Sequence, residues 1–336
     1  MKSRGLIYSL LSLAICGLTM GGCKKDNSTT PATFTSGQVA QVQNSDTQDA
    51  TADKNDQDVD VTLEQLQVTN YQNVTSKSLL TSGSKIVTVD HPDSTYFPKV
   101  VTIVYSNYQD STADESFIRN GEIDVTVTAN GSDKQLTTRV QTFKDYSVTT
   151  DSTTVTINGT RTVTKTAHTY KLKWLTSLRV SATDIITANL KYAVVKTGAT
   201  DTLKFTRIVD KTRKTILHYS NIGGNTWKTV KFRNILAQDT ISYTGTISGV
   251  NEEGNNYSKI VSIATPLVIT YYKGTPIMSS GTMELSITGN TTASFTFTYR
   301  EDPNHPHRTL VTVTNNATGK THSFDRILSR KYVKWW

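Results

Sequence analysis

The sequence predicts an all-β protein made of antiparallel strands, arranged either as a β-sandwich or as an elongated meander, in one β-module or two similar ones. Three features support this fold class. Apolar and polar residues alternate along many short segments, threonine is frequent in those segments, and turn-forming residues separate them. Alternation is the period of a strand with one buried face, and β-branched side chains suit a pleated surface.

The clearest alternation lies in the central stretch, residues 97–164. Ile123, Val125 and Val127 share one side of a predicted strand whose other side is polar. Another predicted strand in this stretch contains Gly159, which has no side chain to pack. We therefore expect a bulge or a close backbone approach at that glycine.

The same pattern continues toward the end of the chain. Further strands are predicted at residues 169–175, 185–195, 203–209, 215–219, 226–235, 240–247, 259–263 and 267–272, and around Leu285, Phe297 and Val311. Turns are predicted at residues 221–225 and 273–276, where glycine, proline or asparagine interrupts the alternation. Short strands separated by turn signals favour a sandwich or an elongated sheet.

The N-terminal segment has the features of a secretory signal. Lys2 and Arg4 precede a short apolar run at residues 6–15, which is too short to span a membrane. Small residues then lead to Cys23, in a pattern that resembles the bacterial lipobox, whose cysteine is lipidated. We predict lipidation of Cys23; the alternative is an ordinary signal with an incidental cysteine.

Residues 24–62 form a polar and acidic segment. Three lysines and seven aspartates give this segment a net charge of −4. Such a composition favours a tether, with short helical stretches near residues 39–42 and 63–68. Cys16 is removed with the signal, so the mature chain has one cysteine and no intrachain disulfide.

The chain is divided into five parts on this basis. They are a lipoprotein signal peptide (residues 1–22), a lipid-anchored polar tether that is partly helical (23–82), an N-terminal β-module (83–176), a C-terminal β-module (177–330) and an aromatic tail (331–336).

The body of the protein is basic. The whole chain carries +8 and the signal +2, so residues 63–336 carry +10 once the acidic tether is set apart. The basic residues, such as Lys171 and Lys173, alternate singly with other residues, which is typical of the solvent face of strands. Because no nucleic-acid-binding motif accompanies them, we predict no nucleic-acid partner. Anionic lipid headgroups or an acidic polysaccharide fit the charge.

Sequence motifs for catalysis are missing. The chain has no nucleophile elbow, phosphate loop, dinucleotide fingerprint or zinc-binding helix. Glu122 and Asp124 share one side of a predicted strand, which indicates a solvated strand more readily than the acid pair of a glycosidase. We therefore predict no catalytic residues and no cofactor.

Three groups of residues have the side chains of metal ligands. They are Asp302 with His305 and His307, Asp90 with His91 and Asp93, and Asp110 with Asp114 and Glu115. Pro306 and its polar neighbours indicate a solvated hairpin turn for the first group. The second group is similar, and the third lacks the spacing of a calcium loop. We therefore predict no metal site.

Trp227 is the single residue that we assign to ligand binding. It follows the turn at residues 221–225, and an aromatic ring beside a loop can stack on a sugar ring. The alternative is a partly buried ring that covers the edge of the sheet.

Several segments together carry a family resemblance. They are the lipobox, the acidic tether, Phe97-Pro98-Lys99-Val100-Val101-Thr102-Ile103, Arg119-Asn120-Gly121-Glu122-Ile123, Phe143-Lys144-Asp145-Tyr146 and Gly159-Thr160-Arg161-Thr162-Val163-Thr164. This combination resembles uncharacterised lipoproteins of the Bacteroidetes. The resemblance implies an envelope lipoprotein and brings no known activity. Because Lys24 rather than an aspartate follows Cys23, we predict the outer membrane, in either leaflet.

These features predict a cell-envelope lipoprotein that binds or scaffolds without catalysis. Its expected partners are the membrane, through the N-terminal lipid, and an acidic glycan or another envelope protein. Two alternatives stay open. One is a glycan-processing enzyme whose acid pair is not recognisable in the linear sequence; the other is an integral outer-membrane β-barrel, because the chain ends in Trp335-Trp336.

Overall fold

A computed structural model of the chain describes residues 83–90, 97–112, 115–130, 133–150, 153–173, 177–221, 227–229, 240–272, 275–290, 292–305 and 308–326. The regular secondary structure of these residues consists of antiparallel strands, so the predicted all-β class is confirmed. The predicted signal peptide, tether and aromatic tail lie outside the described residues.

The described residues form fifteen strands. They are β1 (Ser84–Val89), β2 (Lys99–Thr112), β3 (Glu115–Asn130), β4 (Asp133–Thr149), β5 (Thr153–Lys173), β6 (Ser177–Lys196), β7 (Thr202–Asn221), β8 (Trp227–Thr229), β9 (Thr240–Val250), β10 (Asn256–Val261), β11 (Leu267–Tyr272), β12 (Thr275–Thr288), β13 (Ala293–Glu301), β14 (Thr309–Asn315) and β15 (Thr321–Arg326).

All these strands belong to one sheet, and its order follows the chain as a meander. The order is β1-β2-β3-β4-β5-β6-β7-β9-β10-β12-β13-β14-β15. β11 pairs with β9 and β12, as β10 does further along those strands, and β8 pairs with β7. β5 and β6 pair along most of their length, across the predicted module boundary between residues 176 and 177. That boundary stays a prediction.

One face of the sheet, here called the inner face, is buried. Its middle row runs across ten strands through residues that face one another. The row contains Val101, Val125, Gln141, Arg161, Ala188, Val209, Ile247, Lys259, Leu285 and Phe295. The alternation predicted around Ile123, Val125 and Val127 is confirmed, because all three side chains are fully buried on this face.

Apolar side chains on the inner face form two clusters. The first extends over β2 to β7 and includes Ile103 and Tyr146; the second extends over β10 to β14 and includes Leu285 and Phe295. Ile247 of β9 packs against both clusters and so connects them. Full burial of each such side chain contributes about 1.5–3 kcal/mol, so the two clusters are the main source of stability.

The strands that carry the first cluster contain two similar bulges, one in β2 and one in β4. Asn107 and Asp145 both have a φ of 48°, which is unusual for residues other than glycine. Their backbone N–H groups donate to the side-chain oxygens of Asn120 and Asn158, at 2.7 and 2.8 Å. The second pair follows the first by 38 residues (Asn107 to Asp145, Asn120 to Asn158), so two consecutive hairpins are built alike.

The close approach predicted at Gly159 is confirmed. Its φ is 121°, and a Cβ atom at this position would lie 2.2 Å from the carbonyl oxygen of Asn189. Gly121 occupies the equivalent place in the first hairpin, with 2.2 Å to the carbonyl oxygen of Asp145. Only glycine fits so near a neighbouring backbone without moving it.

The structure corrects two predicted strand breaks. Residues 203–209 and 215–219 belong to one strand, β7, and the strands predicted on either side of residue 165 are both part of β5. In β7 the inward positions between these segments hold Lys211 and Arg213 instead of apolar residues. In β5 the register shifts between Lys165 and Ala167, which interrupts the alternation.

Candidate functional site

The outer face of the sheet carries hydroxyl groups in three neighbouring rows that cross the strands. The first row contains Thr126, Thr162, Thr187, Thr246, Thr296, Thr314 and Thr321; the second contains Thr102, Thr142, Thr160, Ser248, Ser258, Ser286 and Ser294; the third contains Thr128, Thr138, Thr164, Thr212, Thr244, Thr282, Thr298, Thr312 and Ser323. We call these rows the hydroxyl face.

The spacing of the hydroxyl face follows from strand geometry. Neighbouring strands lie about 4.8 Å apart, and successive residues on one face of a strand are about 6.8 Å apart. Threonine suits such a surface because its branched side chain has few rotamers and packs well against cross-strand neighbours. The hydroxyl groups therefore occupy positions of a regular two-dimensional grid, and residues without a hydroxyl occupy the positions between them, among them Val140, Asp210, Ile260 and Glu284 in the first row and Asp124, Asn189 and Ile208 in the second.

Hydroxyl groups in the middle of this array are open to a ligand, whereas others are bonded to neighbours. Thr138 and Thr312 have side-chain partners at 3.3 Å (Thr164) and 2.9 Å (Ser323). By contrast, within the described part of the chain the hydroxyls of Thr160, Thr162 and Thr187 make no side-chain hydrogen bond. These three lie side by side on β5 and β6 and are exposed or half-buried.

Glu122 and Asp124, which the sequence places together on one side of a strand, are both bonded to a lysine on this face. The Nζ atom of Lys144 lies 2.6 Å from Glu122 Oε1 and 2.5 Å from Asp124 Oδ2. The hydrogen bond from Lys144 lowers the pKa of Asp124, and the two carboxylates raise the pKa of Lys144. A glycosidase needs one carboxyl with a raised pKa as its general acid. Asp124 has the opposite shift and does not suit that role.

A second polar site lies at the turn between β13 and β14, where a hairpin turn was predicted. Asp302 accepts hydrogen bonds from the backbone N–H of Asn304 (2.9 Å, to Oδ1) and from His305 Nδ1 (2.7 Å, to Oδ2). Backbone bonds from Asp302 to Arg308 and from His305 to Asp302 close the turn. Asp302 is also buried, and both of its carboxylate oxygens accept a hydrogen bond, while His305 is exposed.

The structure brings an unpredicted residue, Asp325, to this turn. Asp325 lies on β15, and its Oδ2 accepts a hydrogen bond from Arg308 Nη1 at 3.1 Å. Asp302, His305 and Asp325 each offer one ligand atom, and these atoms lie within 4.8 Å of one another. The hydrogen bond from the Asn304 backbone, followed by the bond from His305, lowers the pKa of Asp302 and so favours its charged form.

The structure describes only some of the other predicted residues. Trp227 begins β8 and faces Asn221 of β7, but its side chain lies outside the described residues. Cys23 also lies outside them, as do His91, Asp93, Asp114, His307 and the side chains of Asp110 and Glu115. Asp90 uses its backbone N–H to bond Val100 at 2.8 Å. The assignments of Cys23 and Trp227 therefore stay predictions.

Comparisons with known proteins give no further guide. No protein-family model matches the chain, and no curated protein and no solved structure matches it either. Among the described residues, none forms a helix with the length and hydrophobicity that crossing a membrane requires.

Proposed function

We propose that this protein is a lipid-anchored, outer-membrane protein of the cell envelope that binds an acidic glycan on its hydroxyl face and does not cleave it. Attachment is through Cys23. The observation that carries the proposal is the group of open hydroxyls at Thr160, Thr162 and Thr187 on neighbouring strands of the hydroxyl face.

A glycan is a suitable partner for this surface because it also repeats and also presents hydroxyl groups. Each threonine hydroxyl both donates and accepts a hydrogen bond, as each sugar hydroxyl does. A single bond contributes only about 0.5–1.5 kcal/mol net, so useful affinity requires several bonds along one chain. Adjacent rows of hydroxyls supply them without a deep pocket.

The net charge of the body of the protein, rather than that of the hydroxyl face itself, favours an acidic glycan. Lys191 of β6 is exposed on the outer face next to the second row, whereas the exposed Asp210 of β7 faces Thr187 in the first row. The net charge of +10 on residues 63–336 adds a long-range attraction for polyanions. Because salt screens exposed charges beyond a Debye length of about 8 Å at physiological ionic strength, binding should weaken as salt is added.

The test replaces three open hydroxyls by methyl groups. The triple variant Thr160→Val, Thr162→Val, Thr187→Val keeps side-chain shape and strand preference but removes the donors and acceptors. At about 0.5–1.5 kcal/mol per bond, binding of the full chain in detergent to an immobilised polyuronate should fall at least about tenfold.

The control triple variant removes hydroxyls that are already bonded to neighbours. It is Thr138→Val, Thr149→Val, Thr312→Val, whose partners are Thr164, Thr154 and Ser323. We expect this variant to bind the polyuronate nearly as the wild type does. Equal losses in the two variants, or release of shortened glycan from the wild-type complex, would contradict the proposal.

A further inference from the structure

We infer that Asp302, His305 and Asp325 form a binding site for a divalent transition-metal ion such as Zn2+. One turn and one strand bring the three side chains together: Asp302 and His305 belong to the turn after β13, and Asp325 comes from β15. Their ligand atoms converge to within 4.8 Å of one another. This inference is independent of the glycan proposal.

The kinds of ligand atom in this site favour some cations over others. One imidazole nitrogen with two carboxylate oxygens is a set that Zn2+ accepts in tetrahedral sites, where water supplies the remaining position. Mg2+ and Ca2+ prefer oxygen ligands in larger number, so the nitrogen favours Zn2+ over them. Two carboxylates also balance the double charge of the ion.

The ligand at the base of the site is already in place before an ion binds. The carboxylate of Asp302 is buried, and the Asn304 backbone N–H holds its Oδ1 atom. Its Oδ2 atom lies 2.7 Å from His305 Nδ1, so these two atoms must separate slightly to bind an ion between them in place of their hydrogen bond. Because the turn fixes Asp302, less ordering is required when the ion binds.

Arg308 gives the site a feature that distinguishes metal binding from a purely structural role. Its guanidinium bonds Asp325 and places a positive charge beside the ligands. An incoming cation competes with that charge. Removing it in Arg308→Gln should therefore strengthen Zn2+ binding, although the same change removes a hydrogen bond from the fold.

The experiment titrates the chelator-treated full chain in detergent with ZnCl2, and separately with MgCl2 and CaCl2, by calorimetry and by thermal unfolding. We expect one equivalent of Zn2+ to bind and to raise the unfolding temperature, since the ion links β15 to the β13–β14 turn. Mg2+ and Ca2+ should bind at least about tenfold more weakly.

Variants assign the ion to the site. His305→Ala, at an exposed position, and Asp302→Asn should each lower Zn2+ affinity at least tenfold, whereas Arg308→Gln should raise it. His322→Ala is the matched control, because His322 is an exposed histidine of β15 outside the cluster. The inference fails if the wild type binds no Zn2+, if His305→Ala binds as the wild type does, or if His322→Ala loses as much affinity as His305→Ala.

Discussion

The buried ion pair between Asp184 and Arg213 should be one of the stronger single interactions of the sheet. These residues face each other on β6 and β7, and Asp184 Oδ2 accepts from Arg213 Nε at 3.0 Å and Nη2 at 2.8 Å. The side chain of Asp184 is 6% exposed and that of Arg213 is 22% exposed. Asp184→Asn leaves the guanidinium without its charged acceptor in a largely dry position.

The magnitude follows from the burial of the two groups. Removing one partner of a fully buried pair costs about 3–5 kcal/mol, and a hydrogen bond to a charged group contributes about 1.5–3 kcal/mol. Because Arg213 retains some contact with water, we expect Asp184→Asn to lower the free energy of unfolding by about 2–4 kcal/mol.

The assay is urea unfolding followed by circular dichroism, applied to a double-mutant cycle of Asp184→Asn and Arg213→Gln. The cycle isolates the energy of the pair from other contacts of Arg213. The control cycle uses Arg308 and Asp325 with chelator present; that pair is 35% and 34% exposed, so we expect a coupling below about 1 kcal/mol. A coupling for Asp184 and Arg213 no larger than the control would refute the reasoning.

Three further predictions concern the anchor, the ligand and the acid pair. A fatty-acid probe should label the wild type but not Cys23→Ser, with the labelled protein in the outer-membrane fraction; equal labelling or an inner-membrane location would contradict this. Trp227→Ala should weaken polyuronate binding and leave the unfolding transition unchanged, while unaltered binding would remove Trp227 from the site. Lys144→Met should raise the pKa of Asp124 toward its ordinary value of 3.8, as measured by NMR titration. The interaction that lowers the pKa of Asp124 stabilises the fold at pH values above 3.8, and this stabilisation is lost as the pH falls through the lowered pKa. Wild type and variant should therefore differ more in stability at pH 7 than at pH 2.

Sequence periodicity predicted this fold because the inner face is mostly apolar and the hairpins are local. Ile123, Val125 and Val127 are buried as their alternation requires. The pattern failed where polar residues occupy inward positions. Lys211 and Arg213 hide the continuity of β7 because Asp184, which compensates Arg213, lies on another strand. A charged residue at an inward position suggests a loop when its partner on another strand is not known from the sequence.

The candidate sites were less predictable because both depend on strand pairing over distance. The sequence alone places Asp302 and His305 in one group, but Asp325 joins them only through the pairing of β14 with β15. Similarly, Thr162 and Thr187 become neighbours on one surface through the register of β5 against β6. Threonine content alone indicates strands and does not reveal which hydroxyls lie side by side.

Register is therefore the link between the fold and the proposed function. A slip of one residue between two strands moves every side chain to the opposite face, so the open threonines would turn inward and break the array. The two similar bulges resist such a slip, because Asn120 and Asn158 each accept a hydrogen bond from one particular backbone N–H. The close approach of the β6 backbone to Gly159 also fixes the register, because a residue with a Cβ atom would not fit there. The two bulge pairs stand on β2 to β5, and the open hydroxyls of Thr160 and Thr162 begin directly after Gly159. The residues that hold the register thus lie beside the surface that requires it.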